Sequence, residues 1–126
     1  MRSTGSPSRA PELEAADRAF SADTGARGIA GWTAAFDIDG WMMRDGKRFG
    51  VDTIPALMGP VLAHGRLAWA PLASGVAGSQ GFTVGTATYT AAKPEDNWRS
   101  SYVIIWMRQS DKSWKVRFYV GRRIQE

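Results

Sequence analysis

A chain of 126 residues with 44% apolar content and a net charge of +4 is one domain with a core of its own. With no cysteine it has no disulfide framework, no zinc–thiolate centre and no thiol nucleophile, and no apolar run approaches the roughly 18 residues of a membrane-spanning helix. Basic residues are scattered, apart from Arg122-Arg123, which is not the concentrated face of a nucleic-acid binder.

Residues 1–10 are mostly Ser, Gly, Pro and Arg with little to bury, and they read as a flexible arm before a single α+β domain over 11–126. The arm has no apolar segment after its early Arg, so it does not read as a signal peptide. The expected location is cytoplasmic, or periplasmic if a leader has been removed. Pro11, with Glu12 and Glu14, opens a first helix whose stripe is Leu13, Ala16, Phe20 and Thr24, interrupted by Gly25 and Gly28. Ile29, Trp32 and Phe36 form the stripe of a second helix, and Asp37-Ile38-Asp39-Gly40 stops it. Trp41-Met42-Met43 and Arg48-Phe49-Gly50-Val51 are short strands joined by a tight turn at Asp45-Gly46.

Asp52 or Thr53 caps a third helix, with Pro55 in its first turn and Ile54, Leu57, Met58, Val61 and Leu62 as its face. Pro60 distorts it and Gly65 ends it. Four strands follow: 67–73, 82–90, 100–109 and 114–120. The last two fold back on each other across Gln109-Ser110-Asp111-Lys112-Ser113. Tyr102 to Met107 is apolar without a break, so both faces of that strand need cover. The order α-α-β-β-α-β-β-β-β predicts helices gathered on one side of a curved antiparallel sheet.

Several segments resemble the nuclear-transport-factor-2-like superfamily, which includes ketosteroid isomerase and the SnoaL-like cyclases. They are Ala16-Asp17-Arg18-Ala19-Phe20, Trp32 through Asp39, Leu67-Ala68-Trp69-Ala70-Pro71, Ala77 through Gly85, and Tyr102 through Val116. The resemblance spans residues 12–121 and is nearest to the uncharacterised bacterial branch. It implies a cone made by a bent sheet around three helices, an apolar pocket at the open mouth, and a homodimer through the outer sheet face.

Ketosteroid isomerase chemistry needs a carboxylate base and two oxyanion donors, a Tyr and a protonated Asp. The resemblance puts Phe20 and Ile105 at the donor positions, and neither side chain donates. The base position falls at Arg44, with Asp45 one residue away, and a one-residue slip in a strand reverses the face. Steroid isomerisation by the known mechanism is therefore not expected. SnoaL-like cyclases use an Asp or His. The sole histidine, His64, ends the third helix, and Tyr119 stands where many relatives carry an Asp. An epoxide-hydrolase-like Asp-Arg-Asp relay has its residue types in Asp37, Asp39, Asp45, Arg44, Arg99 and Arg117, but no spacing brings them together.

The resemblance points the Ile105 face into the cone and the Tyr102/Trp106 face outward, where it would form the dimer interface. Trp98 is either a lip of the pocket or edge cover. Strand parity and the helix stripes then predict a pocket lined by Phe20, Met42, Met58, Trp69, Val103, Ile105, Arg117 and Tyr119, with Arg117 and Tyr119 as polar anchors for an anionic or carbonyl-bearing ligand, or else with Arg117 as a structural residue satisfied by Asp37, Asp39 or a backbone carbonyl. The function expected is binding of a small, mostly apolar, oxygenated metabolite, with its chemistry undecided. Arg44, Asp45 and Tyr119 are the catalytic candidates if it is instead a lyase, isomerase or cyclase, and a non-catalytic dimerisation module is the other alternative. No metal, cofactor, nucleic acid or membrane partner is expected.

Overall fold

The computed structural model describes residues 9–125, so most of the predicted arm lies outside the described residues. Its last two residues are tied down. Arg9 pairs with Glu14, and the Ala10 N–H donates to Ser74 Oγ at 2.8 Å. The elements run α1 (Pro11–Arg27), α2 (Ile29–Ala34), β1 (Phe36–Arg44), β2 (Lys47–Gly50), α3 (Ile54–Ala63), β3 (Gly65–Ala77), β4 (Gln80–Ala91), β5 (Trp98–Arg108) and β6 (Trp114–Arg123). A 3₁₀ turn at Pro94–Asp96 bridges β4 and β5. The strand order is β2-β1-β6-β5-β4-β3. Every pair is antiparallel except β1 and β6, so the sheet is mixed rather than purely antiparallel. Among the described residues no helix is long and apolar enough to cross a membrane.

α1 starts at Pro11, whose missing N–H costs nothing in a first turn, and it closes at Gly28. Gly28 has φ +60 and its N–H returns to the Thr24 carbonyl, so α2 starts at once in a new direction. Asp45 and Gly46 both have positive φ, which is the tight hairpin turn their sequence predicts. Thr53 occupies the N-cap of α3, but its hydroxyl donates to the Gly50 carbonyl and does not cap the helix.

Three expectations are corrected. Phe36 is not in a helix. The chain leaves α2 at Ala34, and Asp37 to Gly40 are part of β1. The register against β6 jumps from Phe36↔Val116 to Trp41↔Phe118, so this acidic stretch is an irregularity inside a strand. Second, Tyr102 and Trp106 face the core and not the exterior, being 2% and 1% exposed. Their polar atoms explain the choice. Tyr102 O–H donates to Asp17 at 2.7 Å, and Trp106 Nε1–H donates to Thr83 Oγ1 at 2.9 Å. The aliphatic row of the same strand, Val103 and Ile105, lies on the outer face. Third, Arg117 and Tyr119 do not share a simple alternation. Ile105 pairs with Phe118 while Trp106 pairs with Val116, leaving Arg117 as the extra residue of a bulge.

Helices and sheet meet in an aromatic cluster centred on Phe20 and Trp32. Phe20 packs on Trp32 at 4.9 Å, on Trp69 at 4.7 Å and on Trp106 at 6.1 Å between ring centroids. Trp32 packs on Tyr119 at 5.0 Å. Most of these contacts are tilted or edge-to-face, the arrangement favoured by the ring quadrupoles. Through Tyr119, which also lines the cavity described below, the cluster forms the floor of the site.

Candidate functional site

A cavity of about 480 Å³ opens between the sheet and α3. That volume suits a small molecule. Its inner wall is Met42 from β1, Met58 and Val61 from α3, Leu67 from β3, Tyr89 from β4 and Tyr119 from β6. Trp98 and the turn residues Glu95, Asp96 and Asn97 form one lip, and Arg44, Arg122 and Arg123 line the mouth. Local folding explains the placement. Met42 and Tyr119 are register partners on parallel neighbours, so both side chains project inward side by side. Tyr89 stacks on Trp98 at 5.0 Å, which fixes the lip.

The polar groups inside are few. Tyr89 O–H donates to the Val61 carbonyl at 2.7 Å and is spent. The hydroxyls of Tyr119 and Ser100 line the cavity and bond no protein group among the described residues. Burial pushes the Tyr119 phenol well above its ordinary pKa, and the charge of Asp17 adds to this. Tyr119 therefore stays protonated at neutral pH and serves as an O–H donor. It is poorly suited to act as a base. Among the described residues no carboxylate lines the inner wall. The acids on the lining, Glu95 and Asp96, stand at the lip.

Behind the floor lies a carboxylate that the sequence reading passed over. Asp17 is fully buried on α1. It accepts from Trp69 Nε1–H at 2.8 Å and from Tyr102 O–H at 2.7 Å. Burial raises its pKa, and the hydrogen bonds from Tyr102, Trp69 and Thr83 oppose the rise. Burial and the adjacent Asp17 also push Tyr102 far up. A signal was present. Leu13, Asp17, Phe20 and Thr24 are the buried stripe of α1 at i, i+4, i+7 and i+11, with an acid where an apolar residue is usual.

The structure divides the expected pocket residues. Met42, Met58 and Tyr119 come together on the cavity wall. Phe20 and Trp69 lie in the aromatic floor beneath it. Val103 and Ile105 are on the opposite face of the sheet, because the inner row of β5 is Ser100, Tyr102, Ile104 and Trp106. Arg117 points away from the cavity and forms a two-toothed ion pair with Asp37, at 3.0 and 2.9 Å to Oδ2. Of the catalytic candidates, Arg44 and Tyr119 line the cavity, while Asp45 sits in the exposed hairpin turn. Asp39 is exposed, and its N–H donates to Asp37 Oδ1. His64 is exposed at the end of α3, where its Nδ1 bonds the Pro60 carbonyl at 2.7 Å. Leu67, Tyr89 and Ser100 are lining residues that the sequence reading missed. Among the described residues no group of three His, Cys, Asp or Glu side chains is placed to hold a metal ion.

No family model and no curated protein matches the sequence. Solved structures do match its shape. A ketosteroid isomerase-like protein from Erwinia carotovora atroseptica superposes with a TM-score of 0.76 at 16% identity, over 91% of this chain and 95% of that one. An NTF2-like protein of unknown function from Pseudomonas putida gives 0.74 at 15% identity, over 91% and 86%. A computationally designed 17-OHP binder gives 0.65 at 14% identity, over 91% and 92%. At such identities the likeness speaks for the fold alone. Three helices on a curved, unclosed six-stranded sheet, in this order and with these matches, give the chain the nuclear-transport-factor-2-like, ketosteroid-isomerase-like fold.

Proposed function

We propose that the protein binds a small, mostly apolar, oxygenated molecule in the cone, with Met42, Met58 and Tyr119 as the principal contacts. The observation that carries this is an apolar wall with two unspent hydroxyls, Tyr119 and Ser100, and, among the described residues, no carboxylate on its inner surface. Apolar walls with a few polar anchors are the usual make-up of a ligand site. The same features weigh against acid–base chemistry. Asp17, the buried titratable acid, is behind the aromatic floor, and Tyr119 holds its proton. A designed binder on the same fold supports the cone as a ligand holder.

The test is a tryptophan-fluorescence titration with a steroid or aromatic ketone, because Trp98 lines the cavity. Tyr119→Phe should weaken binding by roughly two- to tenfold, the value of one neutral hydrogen bond. Arg117→Met should leave affinity unchanged, since Arg117 is committed to Asp37. Equal affinity of Tyr119→Phe and wild type would remove the anchor. Efficient turnover of a 3-oxo-5-ene steroid would replace binding with catalysis.

A second feature supports a homodimer through the outer sheet face, by residues other than Tyr102 and Trp106. Val84 and Val103 are register partners, as are Phe82 and Ile105, Val103 and Val120, and Ile105 and Phe118. They form one apolar surface in which Phe82 is 40% and Val103 37% exposed. A contiguous exposed apolar patch of this kind usually meets a partner. Sedimentation should give a dimer at micromolar concentration, and Val103→Lys should give a folded monomer. A wild-type monomer would contradict the pairing.

A further inference from the structure

The cavity mouth carries arginines that form no ion pair among the described residues. Arg44 ends β1 on the same side as Met42, and Arg123 lies on β6 opposite the inward-facing Ser100. Arg122 completes the rim beside them. None of these guanidinium groups joins the ion pairs formed among the described residues. Arg123 is held over the Trp98 ring at 4.7 Å, a contact that fixes its position and leaves its N–H edge unused. Glu95 and Asp96 stand on the lip, and among the described residues they form no ion pair with the arginines. Just inside the rim lie the unspent O–H groups of Tyr119 and Ser100. The site thus grades from an apolar floor, through two hydroxyls, to guanidinium groups at the exit.

Resting on the cavity being a ligand site, we propose that its ligand is an anionic amphiphile. An apolar tail lies among Met42, Met58 and Leu67, and a carboxylate head meets Arg44 and Arg123, with Arg122 nearby. Guanidinium forks match carboxylates in geometry, and a charged hydrogen bond is about twice as strong as a neutral one. The head group also gains from a mouth in which cations outnumber acids. A cationic head would have only Glu95 and Asp96, and would face the arginines.

The probes are decanoate, decanol and decylammonium, each titrated below its micelle threshold at a pH where decanoate is ionised. The proteins are wild type, the triple variant Arg44→Gln/Arg122→Gln/Arg123→Gln, and Arg48→Gln as a single-charge control outside the cavity lining. Decanoate should bind wild type about tenfold or more tightly than decanol, as one charge-assisted contact implies. That advantage should shrink in high salt, persist in Arg48→Gln and vanish in the triple variant. Decanol affinity should stay constant throughout, which also shows that the triple variant is folded. If decanoate and decanol bind alike, if decylammonium binds best, or if the advantage survives in the triple variant, the anionic head group is wrong while the cavity remains a ligand site. If none of the three probes binds wild type, both proposals fall.

Discussion

Asp17→Leu should be the most damaging single substitution in α1. Leucine fills the space but removes the acceptor shared by Trp69 Nε1–H and Tyr102 O–H, which meet the carboxylate at 2.8 and 2.7 Å. Each orphaned buried donor costs about 1–3 kcal/mol, so the loss is on the order of 2–6 kcal/mol. A domain of this size has only about 5–15 kcal/mol to lose. Asp17→Asn should be far milder. Its amide oxygen still accepts from Trp69, and its NH₂ donates to a Tyr102 hydroxyl turned to accept. Urea unfolding checks both, as a fall in midpoint at unchanged slope.

The pair also yields a pH signature. Burial raises the Asp17 pKa, so the native state holds this proton more tightly than the unfolded chain does. Stability from this group is therefore complete below about pH 4, the unfolded value, and is lost as pH rises through the folded value. Glu14 has the opposite sign, because hydrogen bonds from Arg9 and Ser74 lower its pKa. The difference between wild type and Asp17→Asn cancels Glu14 and isolates Asp17. Wild type should lose stability relative to Asp17→Asn as pH is raised from about 4 towards neutrality. A difference that is flat with pH, or that rises, contradicts the assignment.

Gly31→Ala should destabilise the fold by about 3 kcal/mol, at the upper end for an overpacked site. Gly31 lies where α2 crosses α1, and an added methyl would overlap the Asp23 carbonyl and crowd the Thr24 backbone. Backbone cannot step aside as a side chain can, so the helices must part. Trp32, the next residue, would then lose its seat against Phe20 and Trp69. Gly59→Ala in α3 is the contrast. Nothing lies within 4 Å of its would-be methyl. Alanine there should stabilise by roughly 0.5–1 kcal/mol, through helix propensity alone. Thermal denaturation of the two variants should move in opposite directions.

The order of elements was legible because punctuation marked it. Pro11, Gly28, Asp45-Gly46 and Gly65 all stand at element boundaries. The α2–β1 boundary was not legible. Trp32 and Phe36 keep a helical spacing, and their rings do meet at 6.1 Å, yet Phe36 reaches that place from a strand. The facing of β5 was ambiguous for a plainer reason. Tyr102 to Met107 is apolar on both faces, and alternation carries no direction when neither row is polar. What decides it is Asp17 and Thr83, which wait inside for the phenol and the indole of β5. The bulge at Arg117 was equally silent. It needs only one extra residue, and it turns an anchor for ligand into a partner for Asp37. Met42, Met58 and Tyr119 of the expected set line the cavity, and Met42 and Tyr119 do so as register partners just beyond the irregularities of their strands.

The methionine methyl groups report most directly on the central claim, that the cone binds an apolar ligand at its inner wall. Met42 and Met58 line the cavity, whereas Met107 lies on the outer row of β5 and does not. With ¹³C-methyl-labelled methionine, a decanoate or ketone titration followed by NMR should shift the Met42 and Met58 signals together and saturably, and should leave Met107 unmoved. Saturable shifts at Met107 with Met42 and Met58 unchanged would place the ligand on the outer sheet face and contradict the account.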